Sequence, residues 1–203
     1  MNSLLERDGY VVKRNFFNND ATSVLNLYSF KSIQDQISVP GDPHDEVEHE
    51  NSWNLNSHAA FDSILFTSTR EMMQMCEVEL IPTYYYARIY LNGADMNGHT
   101  DRESCQFSAS INLGQSHKYP IFIQNKKTSK YVEIDLQPGD ALIYKGIEQK
   151  HYRKLFTGNW YSQLFLHWVD TTQTNWFYDC KSTPSEIEKK YTDSWESILY
   201  KSS

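Results

Sequence analysis

His99 and Asp101 stand two residues apart in the stretch NGHTDRESC, residues 97–105, with Cys105 close behind. At that spacing both side chains leave an extended strand on the same face, so one metal ion can be gripped by an imidazole and a carboxylate without backbone distortion. Two imidazoles and one carboxylate on one side of a metal leave three positions open, the arrangement of non-haem iron(II) centres that bind a co-substrate and oxygen. His99 and Asp101 supply two of the three ligands. Taken alone, the triplet is equally a polar turn that happens to contain both residue types.

The third ligand has to come from elsewhere. His44, His49 and His58 lie in or beside an acidic stretch, and His117 sits in the short turn QSHKYP, which leaves His151 and His167. His151 follows QPGDALIYKGIEQK, where Pro138-Gly139-Asp140 makes a turn, Ala141 to Tyr144 a buried strand and Gly146 a second bend. It therefore begins a strand, as a ligand at a barrel mouth must. His167 lies inside the apolar run QLFLHWV, where a histidine is more often a satisfied core residue. Cys105 is a fourth ligand, a reactive thiol or a small buried hydrophobe, the last being the usual fate of a free cysteine in a strand.

The elements that must position these groups are mostly strands. After Pro82 the chain reads TYYYARIYL, CQFSASINL, YPIFIQN, KYVEIDL, DALIYKG and WYSQLFLHWV, each bounded by turn residues. Short strands at this spacing predict an antiparallel sandwich or barrel, and an aromatic content of 14%, with 14 tyrosines, suits it. GYVVKRNFF, residues 9–17, predicts an opening strand, and Asn18-Asn19-Asp20 a cap for a helix starting near Ala21. Apolar residues from Ala60 to Val78 recur near a 3.6 period and predict an amphipathic helix over about 58–79, its methionines packing the core. Residues 37–57 predict a long acidic loop, a candidate lid that favours a basic or peptide substrate. STPSEIEKKYTDSWESILY, from about Thr183, predicts a terminal surface helix.

Composition narrows the partners. With 19 Lys and Arg against 26 Asp and Glu the net charge is −7, and no basic run tracks a phosphate backbone, so nucleic acid is not an expected partner. Three cysteines, Cys76, Cys105 and Cys180, are odd in number and widely spaced, which gives neither a zinc pattern nor a disulfide framework. The opening MNSLLERDGYVVKR has no apolar export region, and no window approaches the ~20 apolar residues of a membrane span. These features predict a soluble, cytoplasmic protein, with residues 1–203 as a single domain.

The runs PTYYYARIYLNGADMNGHTDRESCQFSASINLG and QPGDALIYKGIEQKHYRKLFTGNWYSQLFLHW resemble the 2-oxoglutarate and iron(II) dependent dioxygenases, within them the prolyl-4-hydroxylase-like group, which has members common in phages and marine bacteria. The resemblance covers about residues 80–170. It implies a mainly β protein, a double-stranded β-helix or jelly-roll barrel of the cupin-like kind, flanked by N-terminal and C-terminal α-helices. It also implies Fe(II), 2-oxoglutarate and O2 as cofactor and co-substrates, with His99, Asp101 and His151 as metal ligands. The implied reaction hydroxylates a C–H bond of a small-molecule or peptide substrate and releases succinate and carbon dioxide.

A tyrosine nine residues and a glycine six residues before the first ligand recur in prolyl hydroxylases, and Tyr90 and Gly93 match them. The resemblance makes Tyr90 a contact of 2-oxoglutarate. One position departs from the family, which usually places Arg or Lys nine to twelve residues after the distal histidine; here the chain reads Trp160, Tyr161, Ser162, Gln163. A buried dicarboxylate needs a cation or several hydrogen-bond donors. Arg88 shares a strand face with Tyr84, Tyr86 and Tyr90, and Arg153 shares one with His151, so both are candidates, each alternatively paired with a protein carboxylate. Gln163 is a supporting donor. Arg102 is placed to orient substrate at the mouth or to be solvated. Two other readings fit the residues: a cupin-like metal enzyme that does not use 2-oxoglutarate, and a non-enzymatic jelly-roll binding module.

Overall fold

The alternation FSASINL is the simplest key to the architecture. In the computed structural model, which describes residues 3–37, 51–55 and 58–172, these residues open a strand buried on both faces, β5 (Phe107–Gln115). Phe107, Ala109, Ile111 and Leu113 point into the main apolar core, while Ser108, Ser110 and Asn112 are also fully buried but on the opposite side. A period of two has separated an apolar face that packs helices from a polar face that lines a barrel.

Nine further strands build around it: β1 (Tyr10–Lys13), β2 (Ser52–Leu55), β3 (Leu80–Leu91), β4 (Met96–His99), β6 (Ile121–Gln124), β7 (Tyr131–Ile134), β8 (Ala141–Tyr144), β9 (His151–Arg153) and β10 (Trp160–Asp170). A six-stranded sheet runs in the order β1-β8-β5-β10-β3-β2 and a four-stranded sheet in the order β4-β9-β6-β7. All pairings are antiparallel. The interleaved order, with no strand beside its sequence neighbour except β2 with β3 and β6 with β7, is that of a double-stranded β-helix.

Helices cover the outer face of the large sheet. Helix α2 (Asn19–Ile37) is capped by Asn18, whose Oδ1 accepts the Ala21 amide at 2.9 Å, as the polar run at 18–20 predicts. Helix α3 (Ala59–Cys76) buries Phe61, Leu65, Thr69, Met72 and Cys76, one stripe at helical spacing. Trp168, fully buried on β10, donates its indole N–H to Thr69 Oγ1 at 2.9 Å and ties the helix to the sheet. A short helix, α1 (Ser3–Asp8), precedes β1; six residues are too few to leave a periodic signal.

Residues 51–55 correct the reading of 37–57 as loop throughout. Ser52–Leu55 pairs antiparallel with Tyr90–Ala87 as an edge strand, and α2 runs to Ile37. SWNL carries no alternation of its own; the exposed edge of β3 supplies the pairing, and such a strand is dictated by its neighbour. Residues 38–50, and with them most of the proposed lid, lie outside the described residues, as do the helix expected from Thr183 and Cys180. Among the described residues no helix is long and apolar enough to cross a membrane.

Candidate metal centre

β4 ends at His99 and β9 begins at His151, and the two residues are partners in the register of that strand pair. Their rings face each other with centroids 4.4 Å apart. Each Nδ1 lies against the backbone carbonyl two residues earlier, Asn97 O at 2.8 Å for His99 and Gln149 O at 3.0 Å for His151. A carbonyl only accepts, so each Nδ1 carries the proton and donates it, and each Nε2 keeps its lone pair. These Nε2 atoms lie 3.6 and 3.5 Å from Asp101 Oδ1. Two lone pairs and a carboxylate oxygen at that distance repel one another unless a cation, a proton or a metal ion, joins them.

Asp101 is not on the strand with His99, as regular alternation would have it. The strand stops at His99, and Asp101 sits in the connection to a 3-10 turn, Glu103–Cys105. Its amide donates to Gly146 O at 2.9 Å, and Ser108 Oγ donates to its Oδ2 at 3.2 Å, which leaves Oδ1 for the imidazoles. Gly146 is a requirement of this site: a Cβ there would meet Cys105 O, and Asp101 Oδ2 at 2.5 Å. Gly93, at φ +91°, takes the left-handed turn that carries the chain from β3 to β4.

The electrostatics at this point favour a cation. Hydrogen bonding to Asp101 raises His99 above the ordinary imidazole value, against its partial burial. Burial lowers His151, against the attraction of Asp101. For Asp101, burial works upward, but the His99 hydrogen bond and the fields of His151 and His167 outweigh it and hold the carboxyl below its usual range. Two neutral-capable imidazoles and an ionised carboxylate on one side suit a divalent transition metal such as iron(II).

The other sequence-derived candidates fall in two groups. Tyr90, Arg88, Arg153 and Gln163 come together inside the barrel: Gln163 is the register partner of Arg88, and Tyr161 that of Tyr90. Arg153 reaches across from the small sheet, donating through Nη1 to Tyr119 O and through Nη2 to Gln163 Oε1 at 2.9 Å. Gln163 Nε2 in turn donates to Ser110 Oγ. The Arg153 guanidinium lies over the rings of Tyr119, Tyr161 and Tyr90, 4.7, 4.9 and 5.9 Å from their centroids. Arg153 is buried, has no carboxylate within ion-pair distance among the described residues, and leaves its Nε without a partner. The buried Tyr90 hydroxyl is likewise without a hydrogen bond. A buried cation and a buried phenol, both with donors unspent, fit a dicarboxylate.

Arg102 stands apart, exposed beside Asp101, with no side-chain hydrogen bond or ion pair among the described residues. His167 is a buried residue bonded to Ser108 Oγ at 3.0 Å, yet it points into the barrel, and with Asp101 and Cys105 forms a second trio of ligand atoms within 4.8 Å of one another. Cys105 lies in the 3-10 turn, packed with its Sγ 3.1 Å from Tyr84 Oη. Ser108, Ser110, Tyr119 and Gly146 support the site but escaped the motif reading. The alternation of serines with apolar residues in β5 was the available signal for the first two; a backbone contact made by Tyr119 and the space left by Gly146 give none.

No family model and no curated protein sequence matches this chain. Its fold does recur in solved structures. A Pseudomonas putida prolyl-4-hydroxylase superposes with a TM-score of 0.63 at 13% identity, covering 82% of this chain and 95% of that one. An oxidoreductase of the 2OG-Fe(II) oxygenase family from Burkholderia pseudomallei gives 0.63 at 14% identity, covering 86% and 90%. EctD from S. alaskensis, with 2-oxoglutarate and 5-hydroxyectoine, gives 0.64 at 13%, covering 91% and 84%. The chain therefore has the double-stranded β-helix fold found in 2-oxoglutarate oxygenases.

Proposed function

We propose that the protein is an iron(II)- and 2-oxoglutarate-dependent oxygenase that hydroxylates a C–H bond of a small-molecule or peptide substrate and releases succinate and carbon dioxide. The observation that carries this reading is the convergence of His99 Nε2, His151 Nε2 and Asp101 Oδ1 on one point of a β-helix, beside a buried arginine with no acidic partner among the described residues. The likeness to an oxygenase named for both cofactors, and to a neighbour solved with 2-oxoglutarate, supports the same assignment.

In this reading His99, Asp101 and His151 hold the metal, which with 2-oxoglutarate and O2 supplies the oxidising chemistry that no side chain can. The chain's own part is ligation and positioning. The Asn97 and Gln149 carbonyls fix the two histidine tautomers, and Ser108 and Gly146 fix the carboxylate. Arg153, steadied by Gln163, meets the distal carboxylate of 2-oxoglutarate, and Tyr90 donates its free hydroxyl to the same group. Tyr119, Phe156 and Tyr161 pack around Tyr90 and keep water from that end. Arg102 guides substrate at the mouth. Buried thiols at Cys76 and Cys105 suit a reducing compartment, and we assign the protein to the cytoplasm.

Anaerobic addition of iron(II) and 2-oxoglutarate tests the reading. The expected result is the weak visible charge-transfer band of the chelate, followed by succinate release when oxygen is admitted. A protein that binds iron and gives neither is not a 2-oxoglutarate oxygenase.

A further inference from the structure

Arg153 accounts for one buried guanidinium in the barrel; Arg88 is a second. It is 7% exposed, stands on the inward face of β3, and has no carboxylate within ion-pair distance among the described residues. Its Nε donates to Asn54 Oδ1 at 2.9 Å and its Nη2 to Tyr86 Oη at 2.9 Å. Neutral acceptors hold the fork in place on two of its three nitrogens, and no carboxylate meets the third among the described residues. The cation also lies 4.9 Å from the ring centroid of Tyr86 and 5.4 Å from that of Tyr90. Desolvating a guanidinium against amides and rings alone is costly, and an anion arriving from outside offsets that cost with charge-assisted bonds.

2-Oxoglutarate has one distal carboxylate, and Arg153, with Gln163 and Tyr90, is built for it. Arg88 is turned instead toward the β2 edge, where Asn54 and Tyr86 hold it, and its field reaches His99. Phe165 flanks Tyr86 with ring centroids 6.2 Å apart, so an apolar wall adjoins the guanidinium. We infer that Arg88 is the substrate's anchor and that the substrate is an organic carboxylate, its acid group on the Arg88 Nη1 edge and an apolar portion against Tyr86 and Phe165. The acidic composition of residues 37–57 suggests a basic substrate; the cation inside the barrel points the other way, and charge read where water is excluded discriminates more strongly than charge on a surface segment.

This inference rests on the co-substrate reading, and the test separates the two. The full chain is loaded with zinc(II), a diamagnetic stand-in for iron, and a panel of N-acetyl amino acids and the matching N-acetyl amino acid amides is screened by ligand-observed NMR, with and without 2-oxoglutarate. 2-Oxoglutarate affinity is measured separately by calorimetry. The expected result is that at least one acid binds about tenfold or more tighter than its amide, and that Arg88→Gln removes that preference while shifting 2-oxoglutarate affinity by less than about threefold. Arg88→Lys, which keeps the charge and guards against a folding artefact, should retain part of the preference. Equal binding of acids and amides, or no acid binding at all, overturns the inference. So does an Arg88→Gln variant that loosens 2-oxoglutarate as much as Arg153→Met, because both arginines would then clamp the co-substrate. If the parent protein takes up no 2-oxoglutarate, the co-substrate reading fails instead, and the acid preference measured without it decides the role of Arg88 by itself.

Discussion

Arg153 donates through Nη2 to Gln163 Oε1 at 2.9 Å, joining β9 of the small sheet to β10 of the large one across the barrel interior. Gln163 occupies the stretch where a cation is expected from the fold's relatives, and the bond shows how a neutral residue can stand there. Under the proposed function the charge comes instead from the opposite sheet, from Arg153, two residues after His151, and meets Gln163 from the other side. An inward position on one sheet is exchanged for an inward position on the other, which a barrel permits because both sheets face one cavity.

Replacing Arg153 by Met should therefore raise the 2-oxoglutarate concentration that half-forms the visible iron(II) chelate band by about tenfold or more, the magnitude of a lost charge-assisted bond. Arg153→Lys should lose less. Adding Gln163→Lys to Arg153→Met should recover part of the loss, since the new ammonium returns a cation to the same volume. An unchanged titration in Arg153→Met would place the distal carboxylate elsewhere.

The two histidines should differ in what they do besides binding metal. The His99 side chain is 44% exposed and that of His151 only 3%. His99→Ala should abolish iron(II) binding and leave the melting temperature of the metal-free protein nearly unchanged. His151→Ala should abolish binding and also destabilise by about 2 kcal/mol or more, because it leaves a cavity beside Tyr144, whose ring packs edge-on against the imidazole at 4.9 Å. Calorimetric unfolding and iron quantification on the two variants check both halves.

The fold was readable because its strands alternate and its turns are marked: the six runs after Pro82 correspond to β3, β5, β6, β7, β8 and β10, within a few residues at each end. The pair His99 and Asp101, and His151 at a strand start, were readable as residue types at a spacing. What local pattern does not hold is long-range. The edge strand Ser52–Leu55 exists because β3 offers an open edge. Asp101 is aimed by Gly146 and Ser108, one forty-five residues away and the other across a 3-10 turn, so its placement follows from packing and not from strand parity. For the same reason inward parity marked Arg88 and Arg153 as interior cations without saying which would meet Gln163.

Gly146 gives a direct test of that packing. A methyl group at this position would collide with the Cys105 carbonyl and with Asp101, whose Oδ2 and Cβ lie 2.5 and 3.0 Å from the ideal Cβ. Cys105 O belongs to the backbone and gives way less readily than a carboxylate side chain. Gly146→Ala should therefore push Asp101 off its present position and weaken iron(II) binding by about tenfold or more, although no ligand has been altered. An isothermal titration with iron(II) under argon checks it; affinity equal to the parent's would mean that the loop shifts as a unit and carries Asp101 with it.

His167 sets a pH dependence of stability that is separate from metal loading. Its Nδ1 is bonded to Ser108 Oγ at 3.0 Å and its ring lies over Tyr84 with centroids 4.7 Å apart. Burial pushes it down to about 4, against the attraction of Asp101, whereas an imidazole in the unfolded chain takes its proton near 6.5. Above that upper value both states are neutral at this residue and it contributes no slope. Between the two values the unfolded chain binds a proton that the folded one refuses, so stability falls as pH falls, and below about 4 both are protonated and the loss stops. The full span amounts to about 3 kcal/mol. His167→Gln keeps a hydrogen-bonding side chain and removes the titration. Urea unfolding of the metal-free proteins from about pH 7 to pH 4 should show the variant gaining on the parent through that window. A constant difference across it would mean that His167 titrates in the folded barrel as it does in water.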